Sequence, residues 1–340
     1  MNEFELISRF FTRRTPSAVV GNGDDCAVIA PSPGQAFAVT TDTLVEGRHF
    51  LSTLDPWKLG RRAVHVNLSD LAAMGALPRY ALLSLTLPSI EESWVSRFAA
   101  GLWSAFDEFN VELVGGNTTR GPLAIAITAF GDVAPGQALL RSSAKPGDEL
   151  WVSGPLGDAG WALYCMLGDI KAEATAAQIA RYECPTARVA LGVALRGVAT
   201  SCIDISDGLL SEAQHIANAS NVDINIDFNA IPTGLGDALS SVESALHAQH
   251  CLLATGDAYE LLFTAPVSQH NHIDALFKRL SLDGACIGRV AAAIPEDRTN
   301  VTNVTNVTTA PNSKPTVRVL DAQSRIVNVA TQGWDHFAHD

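Results

Sequence analysis

The chain is poor in charge. Of its 340 residues only 17% are Asp, Glu, Lys or Arg, and the basic share is the smaller, 23 Lys and Arg against 36 Asp and Glu. The formal net charge of -13 argues against nucleic acid and anionic membrane surfaces as partners. An acidic protein still binds polyanions when metal ions supply the positive charge. No run of 18 apolar residues occurs, so no membrane span is expected. Glu3 and Glu5, with no long apolar run behind them, argue against a signal peptide. The six cysteines lie apart and none forms a C-x-x-C pair, the pattern of reduced, mostly core thiols in a cytoplasmic protein. A G-x-x-x-x-G-K-[ST] loop, the protein-kinase motif set, a G-x-S-x-G elbow and zinc-ligand spacing are all missing.

What is present is an apolar share of 47% on a length that suits two domains with ample cores. A short amphipathic helix is expected over Met1 to Thr12, with Phe4, Ile7, Phe10 and Phe11 on one side. A glycine turn, Gly21 to Gly23, then delivers Asp24 and Asp25 to the start of a strand, where two adjacent carboxylates repel unless water or a cation lies between them. The run Ala36 to Val39 predicts a strand ending on Thr40-Thr41-Asp42, which places oxygen atoms at a sheet edge. Asp55 as N-cap and Pro56 at the first helical position open a helix to about Met74. Helical spacing puts Ala63, Asn67, Asp70 and Met74 on one face of it. A strand over Arg79 to Leu87, a helix over Glu91 to Phe109, and strands over Val111 to Val114 and Leu123 to Phe130 follow. Between the last two strands, Gly115 to Gly121 suits either a backbone approach to phosphate, with Arg120 at hand, or a plain hairpin turn.

Two Pro-Gly steps, Pro135-Gly136 and Pro146-Gly147, mark the expected boundary between a domain of residues 1–134 and one of residues 147–340, with Arg141 and Lys145 in the linker. The second domain opens with a strand over Glu149 to Ser153 and a glycine-rich turn into a helix. Cys202 to Leu210 reads as a strand running into a helix that ends near Ser220, and its Ser206-Asp207 step echoes Ser69-Asp70. Strands are expected over Val222 to Phe228, Tyr259 to Ala265 and Gly284 to Val290. Three Asn-Val-Thr repeats at Asn300 to Thr309 form a low-complexity insertion near residues 297–314.

The chemistry therefore falls on aspartates expected at element ends: Asp24, Asp25, Asp42, Asp70, Asp204 and Asp207. Oxygen-only sites select hard cations, and magnesium prefers a few carboxylates together with substrate phosphates. With Arg120, Arg141 and Lys145 available for phosphate, the pattern points to Mg-nucleotide phosphoryl transfer without identifying the acceptor.

The blocks Gly23 to Ala27, Thr41 to Val45, Asn67 to Ala76, Gly115 to Gly121, Arg141 to Asp148 and Asp204 to Leu209 together resemble the thiamine-monophosphate kinase family. That family belongs to the superfamily of aminoimidazole ribonucleotide synthetase and selenophosphate synthetase. The resemblance implies an α/β (α+β), two-domain fold of the aminoimidazole ribonucleotide synthetase type. It implies a homodimer whose N-terminal sheets pair into a barrel, and a C-terminal α/β domain. It further implies transfer from ATP, as co-substrate, to thiamine monophosphate with several Mg²⁺ ions. By that similarity Asp25, Thr40, Thr41, Asp42, Asp70, Asp204 and Asp207 would hold Mg²⁺, with Asn117 at a further metal position. Gly116, Asn117, Arg141 and Ser206 would touch ATP, and His49, Asp257 and Trp334 would meet the thiamine substrate. No general base is assigned. The chain departs from the family where Asn117 stands for an aspartate, and where Thr255-Gly256-Asp257-Ala258-Tyr259-Glu260 stands for Gly-Gly-Glu-Asp-Tyr-Glu. These departures keep open a member with another acceptor or with weakened catalysis.

Overall fold

The computed structural model describes residues 1–293 and 314–327. Its elements, in chain order, are α1 (Glu3–Leu6), β1 (Ala36–Val45), α2 (Pro56–Ala73), β2 (Leu77–Leu87), α3 (Glu92–Phe109), β3 (Glu112–Arg120), β4 (Ala124–Val133), β5 (Glu149–Val152), α4 (Asp158–Leu167), α5 (Ala176–Glu183), α6 (Val189–Ala194), β6 (Ser201–Asp204), α7 (Leu209–Ser220), β7 (Val222–Asp227), α8 (Gly236–Ser240), α9 (Ala245–Ala254), β8 (Leu261–Ala265), α10 (His270–Leu280), β9 (Ala285–Ala292) and β10 (Val317–Leu320). They gather into two compact units. The first comprises Met1–Ala138, Ala162–Arg196 and Asp257–Glu260, and the second Leu139–Trp161, Gly197–Gly256 and the described residues from Leu261 on.

The first unit is built on a four-stranded sheet in the order β1-β4-β2-β3. β4 runs antiparallel to both β1 and β2, while β2 and β3 are parallel and are joined through α3. Alternation assigns the faces. Leu44 of β1, Ala81, Leu83, Leu85 and Leu87 of β2, and Ile125, Ile127 and Ala129 of β4 are buried. Thr41, Thr43, Ser84 and Asn117 point the other way and are exposed. α2 begins as the sequence demands, with Asp55 Oδ1 accepting from Trp57 N at 2.9 Å and Lys58 N at 3.4 Å, and Pro56 in the first turn. It ends at Gly75, whose φ of +64° is the left-handed turn that closes a helix; Ala76 N returns to Leu71 O at 2.7 Å. α2 crosses α3 at glycines on both helices: a Cβ on Gly60 would lie 2.2 Å from Phe98 O, and one on Gly101 1.8 Å from Trp57 O.

Three expectations fail here. β1 does not stop at Val39 but continues to Val45, so Thr40-Thr41-Asp42 lie mid-strand, on the edge strand of the sheet. β-branched and apolar residues follow the acid, and pairing with β4 holds through Val45↔Ala124. Gly115 to Arg120 is neither loop nor turn but part of β3, paired in parallel with β2. Gly116 is needed there: its φ is +153° and a Cβ would meet Leu83 O at 1.9 Å. The strand expected after Asp25 is reduced to an isolated bridge, Val20↔Val28.

The second unit carries a six-stranded sheet in the order β10-β7-β9-β5-β8-β6, antiparallel except where β10 joins β7. β5, β6 and β8 are buried at every residue, as strands covered on both faces are. Trp151, Phe263 and Phe277 form its aromatic core, Trp151 stacking on Phe263 at 6.4 Å between ring centroids. All six cysteines are free, but only Cys202 and Cys251 are buried, so the thiols are less a core feature than their scatter suggested.

Candidate active site

In the first unit, β1 and α2 bring together part of the expected aspartate set. Thr40 and Asp42 share the inner face of β1, and Asn67 and Asp70 lie one helical turn apart on α2. The Thr40 hydroxyl donates to Asp70 Oδ2. The backbone N–H of Asp42 donates to Asn67 Oδ1 at 2.9 Å, while Asn67 Nδ2 donates to Ala63 O at 3.0 Å, which fixes the amide's orientation. Thr41 is not part of this group. Its side chain faces the opposite side of the sheet, where its hydroxyl donates to Ile127 O and accepts from Thr128 Oγ1, both at 3.1 Å. Asn117 is also on that opposite face, level with Ser84 of β2, and is exposed. It has none of the left-handed backbone a turn reading requires. Asp25 is exposed, its N–H capped by Asp24 Oδ1 at 2.9 Å, so the repulsion between neighbouring acids is relieved partly by the backbone.

His49 follows β1, and its Nδ1 accepts from Val45 N at 3.0 Å, leaving Nε2 as the proton-bearing nitrogen of the neutral ring. Its carbonyl accepts from Arg62 Nη2 at 3.2 Å. Arg62 also pairs with Asp257. Asp257 and Tyr259 are both left-handed, with φ of +66° and +49°, in a stretch with no glycine after Gly256. Glu260, at the end of that stretch, is buried and held by Arg188 Nε at 2.7 Å and Arg181 Nη1 at 2.9 Å. Trp334 and the Asn300 to Thr309 repeat lie outside the described residues.

In the second unit, Asp204 closes β6 and is buried, and Ser206-Asp207 form the turn into α7. The two Ser-Asp steps are therefore framed differently, one inside a helix and one ahead of it. Glu212, on the first turn of α7, accepts from Asp207 N at 3.0 Å and from the Ser206 hydroxyl at 3.5 Å. Burial, reinforced by the charge of Asp207, pushes its carboxyl up to about 7 against the opposing pull of the Asp207 N–H. Arg141 is exposed in a short turn, Arg141–Ser143, whose Arg141 carbonyl accepts from Ser220 Oγ at 2.8 Å at the end of α7.

Sequence reasoning missed Glu212 and Arg62. A signal existed for both. Glu212 falls in helical register with the buried Leu209, Ala213 and Ile216, and Arg62 with Leu59 and Val66. A charged residue on an apolar helix face is the observation to weigh.

Among the described residues no three His, Cys, Asp or Glu side chains form a metal-holding group. The donors at the β1–α2 station are all oxygen, two carboxylates and a hydroxyl, which is the chemistry a hard divalent cation takes.

The family model for the AIR synthase related protein, N-terminal domain, matches residues 23–133, and that for its C-terminal domain matches residues 145–295. The thiamine-monophosphate kinase of Escherichia coli (strain K12) is 41% identical over 298 residues, covering 86% of this chain and 91% of that protein. The crystal structure of thiamine-monophosphate kinase from Stenotrophomonas maltophilia K279a is 40% identical with a TM-score of 0.78, covering 86% of this chain and 95% of that one. The solved AaThiL, complexed with AMPPCP and TMP, is 30% identical with a TM-score of 0.73, covering 98% of this chain and 96% of that one. With both halves matched by one pair of family models and the whole two-domain α/β fold shared with these structures, the chain belongs to the AIR synthase related family and, within it, to the thiamine-monophosphate kinases.

Proposed function

We infer that this chain transfers the γ-phosphoryl group of ATP to the phosphate of thiamine monophosphate, giving thiamine diphosphate and ADP. The observation that carries it is the 41% identity to a thiamine-monophosphate kinase across 86% of the chain. In the transfer, the bond between the γ-phosphorus and the bridging oxygen of ADP breaks, and a bond to an oxygen of the acceptor phosphate forms. That oxygen is already anionic, so no side chain has to remove a proton, and the aspartates act as ligands rather than bases. Bound Mg²⁺ would supply the positive charge that lets two anionic phosphates approach.

Asp42, Asp70 and Thr40 would hold a cation from the first unit, with Asp25 as a further oxygen donor, and Asp204 and Asp207 would do so in the second; Thr41 and Asn117, on the opposite face of the sheet, would offer their oxygens to a separate cation. Gly116, Asn117, Arg141 and Ser206 bind ATP; Gly116 and Asn117 support this because both are exposed on β3. His49, Asp257 and Trp334 bind the thiamine substrate. Residues 1–134 and 147–340 serve as the two domains. A homodimer is supported by the open face of the four-stranded sheet, where Val39 is 58% exposed beside Phe37 and Phe130. The site of action is the cytoplasm: the cysteines are free, and no helix among the described residues is long and apolar enough to cross a membrane.

A second reading, a member with another acceptor or weakened catalysis, is favoured by Asn117 and by Ala258 in the altered Thr255 to Glu260 stretch. One assay separates the two. ADP release and thiamine diphosphate formation are measured with Mg-ATP against thiamine monophosphate, free thiamine and other phosphorylated acceptors. Turnover of thiamine monophosphate but not of free thiamine is expected; efficient phosphorylation of free thiamine, or ATP binding without turnover, would overturn it.

A further inference from the structure

Arg62 is only 1% exposed, yet its pattern of bonds makes it a poor stabiliser. Its Nη1 donates to Tyr182 O, at the end of α5, and its Nη2 to His49 O at 3.2 Å and to Asp257 Oδ1. The guanidinium lies over the Tyr182 ring, 4.9 Å from the centroid. Its Nε is buried with no partner among the described residues. A buried donor left unpaired costs stability, and a buried ion pair is often replaceable by apolar packing without loss. What this geometry does provide is register. One planar fork fixes three segments distant in sequence: the turn after β1, the end of α5 and the 257–260 stretch. The last of these needs fixing, since Asp257 and Tyr259 hold left-handed backbones that side-chain-bearing residues rarely adopt.

We propose that Arg62 is a positioning residue for the acceptor end of the site: its guanidinium sets the Asp257 carboxylate and the His49 turn at a fixed separation, so that both meet one acceptor molecule. The proposal rests on the assignment of His49 and Asp257 to the thiamine substrate. Both attachments are made by the same nitrogen, Nη2, so one displaced guanidinium loosens both substrate contacts at once. ATP contacts are assigned to other segments, so the effect falls on the acceptor alone.

The test is steady-state kinetics on the full chain with each substrate varied in turn. Arg62→Met raises KM for thiamine monophosphate by about tenfold, the equivalent of one charge-assisted hydrogen bond, and leaves KM for ATP within about twofold. Arg62→Lys, which keeps a cation opposite Asp257, recovers most of that loss. Asp257→Asn raises the same KM, and Arg62→Met on top of it adds less than the product of the two single effects, as residues acting through one contact do. If Arg62→Met does not fold, Arg62→Gln is read by the same criteria. A rise in both KM values together, or a fall in melting temperature with neither KM moved, overturns the proposal and leaves Arg62 a structural residue. If Asp257→Asn and His49→Ala leave KM for thiamine monophosphate unchanged, the acceptor assignment itself falls and the proposal with it. If those two variants raise it and the Arg62 variants do not, the proposal alone falls.

Discussion

The chain presents a Ser-Asp step twice, and the two are built on different physics. Ser69-Asp70 lies in the interior of α2, a helix buried along most of its length, and Asp70 meets the Thr40 hydroxyl because β1 packs alongside. Ser206-Asp207 lies in the turn between β6 and α7, where the Ser206 hydroxyl and the Asp207 backbone N–H donate to Glu212, within the first turn of α7. The first station is held by tertiary packing, the second by local hydrogen bonds. A carboxylate fixed by packing has little freedom to move when a charge nearby changes. A turn whose backbone N–H and hydroxyl are held by one nearby carboxylate can readjust at the cost of one or two hydrogen bonds.

The strongest way to break the contrast is Asp70→Ala. Loss of a preorganised charge at a packed station lowers kcat by roughly two to three orders of magnitude. The fold survives, since alanine suits a helix interior. Turnover within about tenfold of the parent at low Mg²⁺, with circular dichroism unchanged, would remove Asp70 from the cation-binding set.

His65 tests whether α2 is as dependent on burial as its bonding suggests. It is fully buried on that helix, with Nδ1 accepting from Ala187 N at 3.2 Å and the Phe109 ring against it. Burial first, then the Arg61 charge, pulls its imidazole down to about 4; Glu108 opposes them and Arg188 adds to them. The unfolded chain therefore takes up a proton below 6.5 that the folded chain refuses until about pH 4. The associated stability is present above 6.5 and is lost as pH falls through that window, about 3 kcal/mol in full. In His65→Gln, whose amide oxygen still accepts from Ala187, melting temperature should fall less between pH 7.5 and pH 5 than in the parent. Parallel curves would mean that the buried ring is not what makes this helix acid-sensitive.

The local station is probed by Glu212→Ala. The Ser206 hydroxyl and the Asp207 N–H both lose their acceptor, and KM for ATP rises by about tenfold while KM for thiamine monophosphate holds. If neither KM changes and melting temperature drops, Glu212 serves only the α7 end.

How much of this was legible in the residues follows the same division. Elements written in local chemistry came out nearly whole. Asp55-Pro56 and Gly75 bound α2, and the helix over Glu91 to Phe109 lies within one residue of α3. The pairing of Asn67 with Asp70 on one helix face follows from spacing alone, and the bonds to β1 agree with it. What was lost depended on partners elsewhere in the chain. Gly115-Gly116 reads as a break until β2 lies beside it and makes the absence of a Cβ a condition of strand pairing. β1 extends past Val39 because β4 pairs with it, and the β-branched and apolar residues after Asp42 permit that pairing without announcing it. Arg62 and Glu212 were passed over because charged residues are expected at the surface, and their partners, Asp257 and the Asp207 N–H, become visible only in the fold.

The smallest expected effect belongs to Asn117, which joins neither station. β3 is the edge strand opposite β1, and pairing runs from Asn117 through Ser84 and Ala126 to Thr43, on the face away from Asp42. Three strand spacings separate it from β1, roughly 14 Å. A charge placed there is screened by water and salt from the β1–α2 station. The left-handed turn that would make asparagine a purely backbone choice is gone, because the residue sits in a strand with ordinary φ. Two functions remain, and Asn117→Asp separates them in a magnesium titration at fixed ATP. As an oxygen ligand the position gains a full charge, and the Mg²⁺ concentration for half-maximal activity falls by about two- to threefold, the shift we expect. As an amide donor to a phosphate oxygen it would instead turn repulsive, and KM for ATP would rise with the magnesium curve unmoved. Superimposable curves with an unchanged KM would leave Asn117 as nothing more than a residue of β3.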